Sequence, residues 1–129
     1  MIDFNNAAFL SACRTKYTRE ENKSRHACLG ADLVRYGIEA IDAQCVYKNV
    51  PEQSYMVKAT RFEDQINLKQ LARRYEQESI LWVWFGHAEL WIAASGLYEP
   101  IGTIEDVTGS PLGVRDHTRL SDGRILAIS

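Results

Sequence analysis

The chain has 129 residues, and its 15 Lys and Arg against 17 Asp and Glu leave a formal charge of −2. That length suits one domain over residues 1–129 rather than two, and scattered, balanced charges give no electrostatic ground for a nucleic-acid partner. Apolar residues make up 46%, yet the longest apolar run, residues 80–85, is far below the roughly 20 needed to span a bilayer.

The opening residues Met-Ile-Asp-Phe-Asn-Asn lack the basic region and apolar run of a signal peptide, so the reading is a cytoplasmic protein with no membrane partner. Cys13, Cys28 and Cys45 are an odd set without C-x-x-C spacing. They read as reduced, mostly buried thiols rather than a disulfide frame or a zinc site.

In chain order, alternation over residues 8–14 predicts a first strand. Thr18 and Glu21 stand at capping-box spacing and start a helix over 18–36. Its inward stripe of Leu29, Leu33 and Tyr36 turns polar at Asn22 and His26 toward the N-terminus, and Gly37 ends it. Residues 41–47 read as a second strand. Pro51 breaks the chain, and 53–60 reads as a third strand antiparallel to the second. Leu68, Leu71, Ala72 and Tyr75 mark a second helix, followed by strands over 80–85 and 89–94. Beyond Ala94, Gly96, Pro100, Gly102, Gly109, Pro111 and Gly113 mark irregular turns. Asp122-Gly123 between 117–120 and 124–128 signals a hairpin.

This β-α-β-β-α-β order with added strands predicts a ferredoxin-like α+β sandwich with extra C-terminal strands. In the strand over 80–85, Ile80, Trp82 and Trp84 point one way and Leu81, Val83 and Phe85 the other, so both faces need a cover. One cover is the helical layer. The other is the C-terminal segment or a second subunit, and the latter predicts an oligomer.

The chemistry-bearing residues exclude more than they support. No G-x-G-x-x-G or Walker sequence is present, and His26, His87 and His117 lie in separate elements without ligand spacing, so no metal or cofactor is expected. Glu52 follows Pro51 at a sheet end, where a carboxylate can be aimed into a cleft. Position alone favours an exposed turn glutamate. Tyr47 reads equally as a half-buried strand aromatic. Arg14 and Arg25 are either binding groups or structural ion pairs.

The stretch from Ala8 to His26, running strand, Arg14, loop, Glu20-Glu21 and Asn22-Lys-Ser24-Arg25-His26, resembles the start of the phage-encoded S-adenosylmethionine lyases, formerly called hydrolases. The likeness continues through Tyr47, the Glu52 region, the segment 71–81 and the tail blocks 102–107 and 109–113, with a connection between Tyr47 and Glu52 shorter than in a member of that family. The resemblance implies a homotrimer of α/β sandwiches related to the PII signalling proteins, with sites between subunits. It implies Glu52 and Tyr47 as catalytic residues, with Arg14, Asn22, Ser24, Arg25 and Gln77 as candidate substrate-binding groups.

The implied reaction is attack by the substrate's own carboxylate on its γ-carbon, giving homoserine lactone and 5′-methylthioadenosine. S-adenosylmethionine is then substrate rather than cofactor, and the implied setting is phage anti-restriction in the host cytoplasm. Two other readings compete. One is a non-catalytic, trimeric PII-like module that holds an adenosine nucleotide; the other is an inhibitor that binds a host protein.

Overall fold

The computed structural model describes residues 2–59, 61–110, 113 and 115–129. Five elements make the first half: β1 (Asn6–Leu10), α1 (Arg19–Arg35), β2 (Ala40–Tyr47), β3 (Val50–Lys58) and α2 (Phe62–Arg74). Five strands follow: β4 (Ser79–Trp84), β5 (His87–Ile92), β6 (Tyr98–Asp106), β7 (His117–Leu120) and β8 (Ile125–Ile128). All pairings are antiparallel, and the order β1-β3-β2-β7-β8-β6-β5-β4 closes on itself through β1 and β4.

The fold is therefore a closed eight-stranded barrel with two helices on its outside. The ferredoxin-like sandwich expected from the element order is incorrect. An open sheet would end at β2 and β4, and here β7 pairs with β2 while β5 pairs with β4. β6 and β8 then join those two arms, leaving no free sheet edge among the described residues.

Alternation along each strand sorts side chains between two cores. Ala8 and Leu10 of β1, Val57 of β3, and Ile80 and Trp82 of β4 face Leu29 and Leu33 of α1 and Leu68 and Leu71 of α2. Ala7, Phe9, Met56 and Val83 point the other way, where Ile104, Leu120 and Leu126 of β6, β7 and β8 meet them inside the barrel. The second cover that β4 requires thus comes from the chain's own C-terminal strands. This face of β4 therefore does not call for another subunit.

The helix start is as the capping-box spacing predicts. Glu21 N–H donates to Thr18 Oγ1 at 3.1 Å and Thr18 N–H to Glu21 Oε1 at 3.0 Å, which holds the Glu21 carboxyl below its usual range. His26 is buried, stacked on Tyr55 with centroids 4.1 Å apart, and its Nε2 lies 2.7 Å from Asp42 Oδ1.

Several boundaries differ from the sequence reading. β3 begins at Val50, not at 53, so Pro51 lies in a strand opposite Val46. The two-residue turn Lys48-Asn49, with φ of 49° and 65°, is a type I′ geometry. Pro51 then falls in a non-hydrogen-bonded pair, on the part of β3 beyond its pairing with β1, and its missing N–H costs no ladder bond.

The irregular segment after Ala94 contains β6, which runs through Pro100 and Gly102. The register shift opposite Ala88 and Glu89 leaves Ile101 as the extra residue of a bulge. The hairpin at Asp122-Gly123 forms as expected. Pro111 and Thr60, assigned above to a turn and a strand end, lie outside the described residues.

Ile2 and Phe4 pack against the interior cluster at the N-terminal end of β1 and plug that end of the barrel. The opposite end, beyond Leu10, stays open. Gly102 fixes the closure. Its φ is 135°, and a Cβ there would fall 2.1 Å from the backbone oxygen of Ser129. Gly102→Ala is therefore expected to cost about 3 kcal/mol or more, strain and overlap together. Gly123→Ala, at φ 97° in open space, should cost only about 1 kcal/mol. Urea unfolding of both variants checks this, and equal costs would remove Gly102 from the closure.

Candidate functional site

The open barrel end is a cavity of about 560 Å³, within the range of small-molecule sites. Phe9, Leu81, Leu90, Ile101 and Ile128 form an apolar floor, and Tyr47, Lys48, Glu52, Arg14, Glu76 and Glu78 form a polar rim. Strand parity puts the central pair there. Met56 points into the barrel, so Ser54 and Glu52 share its face, and Cys45 and Tyr47 share the inward face of Ala43.

Glu52 pairs with Cys45 across β2 and β3 rather than lying in a turn. Among the described residues its carboxylate has no hydrogen-bond or ion-pair partner. Its charge is felt by two thiols that line the same cavity. Burial pushes Cys13 and Cys45 up, and the Glu52 carboxylate adds to both shifts. Neither cysteine is set up as a thiolate nucleophile. Cys28 is exposed, contrary to the expectation of mostly buried thiols.

Of the other sequence candidates, Arg14 and Gln77 line the cavity, while Asn22, Ser24 and Arg25 do not. Asn22 clamps the loop after β1: its Oδ1 accepts from Arg14 N–H and its Nδ2 donates to Arg14 C=O, each at 2.9 Å. Arg25 donates to the carbonyls of Ala12 at 2.7 Å and Tyr75 at 2.6 Å, tying the same loop to the end of α2. Gln77 Nε2 donates to the carbonyls of Cys13 and Tyr75 at 3.2 Å. The Arg14 guanidinium donates to the carbonyl of Glu76. Ser24 is exposed on α1.

Glu76, which the sequence reading passed over, is the knot of this rim. At φ 59° it accepts from Lys16 Nζ and Tyr17 OH, both at 2.9 Å, and these bonds hold its carboxyl below the usual range. Glu78 was also missed. It lines the cavity, and no side-chain partner engages it among the described residues. The available signal was its place beside Gln77 at the helix-to-strand connection, the same sheet end that carries Arg14 and Glu52.

The rim therefore presents two unpartnered carboxylates, Glu52 and Glu78, together with the cations Arg14 and Lys48, above an apolar floor, and the free carboxylates can receive a cationic group of an organic ligand. No group of three or more His, Cys, Asp or Glu side chains that could hold a metal ion is found among the described residues. No described helix is long and apolar enough to cross a membrane.

A family model described as the S-adenosylmethionine lyase family matches residues 8–126. The chain belongs to the S-adenosylmethionine lyase family. The match takes in every strand of the barrel except the ends of β1 and β8, and it includes Tyr47, Glu52 and the Glu76 rim. No curated protein matches the chain. Membership makes this an S-adenosylmethionine-degrading enzyme. The PII-like binding module had its ground in the open sandwich, which the barrel replaces.

The cavity geometry predicts unequal thiol reactivity. At pH 7.5 iodoacetamide should label exposed Cys28 before Cys13 and Cys45, because raised pKa values leave little thiolate at the latter two. Glu52→Gln should speed labelling of Cys13 by removing a charge that disfavours its thiolate. Peptide mapping by mass spectrometry reads both effects. Unchanged Cys13 labelling would place Glu52 too far away to matter.

Proposed function

We propose that the barrel-mouth cavity binds S-adenosylmethionine and cleaves it to 5′-methylthioadenosine and L-homoserine lactone. The observation that carries this reading is the pair Tyr47 and Glu52 on the inward faces of adjacent strands, with the Glu52 carboxylate unpartnered at the cavity rim. Family membership supplies the substrate class. The substrate's carboxylate oxygen bonds to its γ-carbon while the C–S bond breaks, and that electron pair stays on sulfur as a neutral thioether. No water or proton is consumed.

Opposite charges within one molecule vanish in this step, so moving the reacting centre from water to the apolar floor lowers the barrier, and folding the methionine arm adds a proximity gain. Glu52 is assigned to the substrate's ammonium or a ribose hydroxyl, and not to nucleophilic attack. Tyr47 holds the reactive rotamer by a hydrogen bond. Arg14 and Gln77 support the rim from within the cavity, and Asn22 and Arg25 act through the loop they clamp. Ser24 belongs to the proposal through the family resemblance alone. The step needs no cofactor, because the leaving group is already activated.

The wider reading is protection of phage DNA from restriction systems that need this methyl donor, in the host cytoplasm. A homotrimer with sites at subunit interfaces also belongs to it, and the half-exposed Tyr47 and Val50 at the cavity mouth are the surface such an interface would cover. Light scattering at micromolar concentration should then give three times the 14.7 kDa chain mass; a monomer removes the interfacial site.

Incubation with S-adenosylmethionine in ¹⁸O water tests the chemistry. Methylthioadenosine with unlabelled lactone is expected. Homoserine carrying solvent oxygen from the outset would indicate hydrolysis, and unchanged bound ligand would indicate a sensor. Glu52→Gln should lower kcat/KM by about ten to a few hundred fold, the value of one charge-assisted hydrogen bond. Tyr47→Phe should cost less, about two to ten fold. Glu89→Gln, which does not line the cavity, is the control. Wild-type turnover and affinity in Glu52→Gln would overturn the assignment.

A further inference from the structure

We propose that the barrel interior beneath the cavity holds a subsite for the alkyl group on the substrate's sulfonium, so that this enzyme accepts S-alkyl groups larger than methyl. The proposal rests on the reading of the cavity as the S-adenosylmethionine site. A recess of about 70 Å³ opens below the floor and shares Phe9, Cys45, Tyr47, Leu81 and Ile128 with the main cavity. Ile104 and Leu126, both buried in the interior core, line only the recess and close it at depth.

Size decides what fits. The recess has about half of the ~150 Å³ that encloses a benzene, too little for a purine or a ribose and enough for a short alkyl chain. Polarity agrees. Phe9, Leu81, Ile104, Leu126 and Ile128 give it an apolar lining, and three polar atoms at its edge are already engaged: Asp116 Oδ1 accepts from Lys48 N–H at 2.8 Å, His117 Nδ1 is 3.1 Å from the Arg115 carbonyl, and Thr118 Oγ1 contacts Cys45 Sγ. A water held there would need two to four polar partners, so the recess suits carbon.

A sulfonium carries three substituents. The adenosyl and methionine arms bear polar groups that match the rim, and the third is a lone alkyl group. Tyr47 borders both spaces. With the two polar arms held at the mouth, the third substituent is the one left to point inward. A methyl group fills only part of the recess, which leaves room for at least one further methylene.

The test compares kcat/KM of the purified protein for S-adenosylmethionine and its S-ethyl and S-propyl analogues. The S-ethyl compound should be cleaved within about five-fold of the S-methyl one, against the 10–200-fold loss that a closed pocket imposes for one methylene. Ile104→Val should raise the propyl-to-methyl ratio about ten-fold, and Ile104→Phe should lower the ethyl-to-methyl ratio by about ten-fold or more. Circular dichroism reports folding; if Ile104→Phe does not fold, the wild-type series and Ile104→Val decide. A hundred-fold loss on S-ethyl in the wild type, or Ile104→Val scaling all three substrates alike, overturns the subsite while leaving the function reading intact. No cleavage of S-adenosylmethionine by the wild type brings down that reading and the subsite together.

Discussion

Because Ile80 and Trp82 of β4 face the helices while Leu81 and Val83 face the barrel, the strand cannot leave either side in water, and the rest of the chain is arranged around that demand. Burying each large apolar side chain is worth roughly 1.5–3 kcal/mol. The helices cover one side. The other is covered only when β5 to β8 curl round to meet β2, and that curling makes a barrel. An interior of eight strands is just wide enough for side chains to fill or for one small ligand. In this chain both happen: Ile2 and Phe4 plug one end, and the other end stays open as the cavity.

The open end is held by polar groups rather than by packing. Arg25, Gln77 and Glu76 fasten the loop after β1 to the connection after α2, and Asn22 fastens the same loop to α1, mostly through backbone carbonyls. Side chains that satisfy buried or half-buried carbonyls are costly to remove, since the carbonyl is then orphaned. The rim is therefore pre-organised. Buried Asp32 extends the tie between the helices. It accepts from Tyr75 OH at 2.6 Å, and burial together with this bond raises the Tyr75 hydroxyl's pKa.

A stiff rim with free carboxylates above an apolar floor divides its labour in a way that fits a sulfonium substrate. Charge at the mouth attracts a cation, and the less polar interior favours a step in which that charge disappears. In the reaction proposed above, catalysis depends more on orientation and desolvation than on an acid, a base or a nucleophile, in keeping with the raised thiol pKa values of Cys13 and Cys45.

Local signals were legible wherever a few neighbouring residues decide the outcome. Thr18 and Glu21 announced the helix start, Asp122-Gly123 the last hairpin, and the alternation at 80–85 the strand that needs two covers. The family resemblance pointed to Tyr47 and Glu52, and both line the cavity. Arg14, Asn22, Arg25 and Gln77 were visible as polar residues, but whether such a side chain meets a ligand or a carbonyl is settled by residues up to 64 positions away, which periodicity does not encode. β6 was hidden because Pro100 and Gly102 are turn signals in isolation and bulge and closure positions in context. What the sequence determined by itself was the two helices, the strands other than β6 and the double apolarity of β4. Only the tertiary structure decided between an open sandwich and a barrel, because closure depends on pairings such as β1 with β4 and β6 with β8, whose loop-closure entropy is repaid only when every strand is in place.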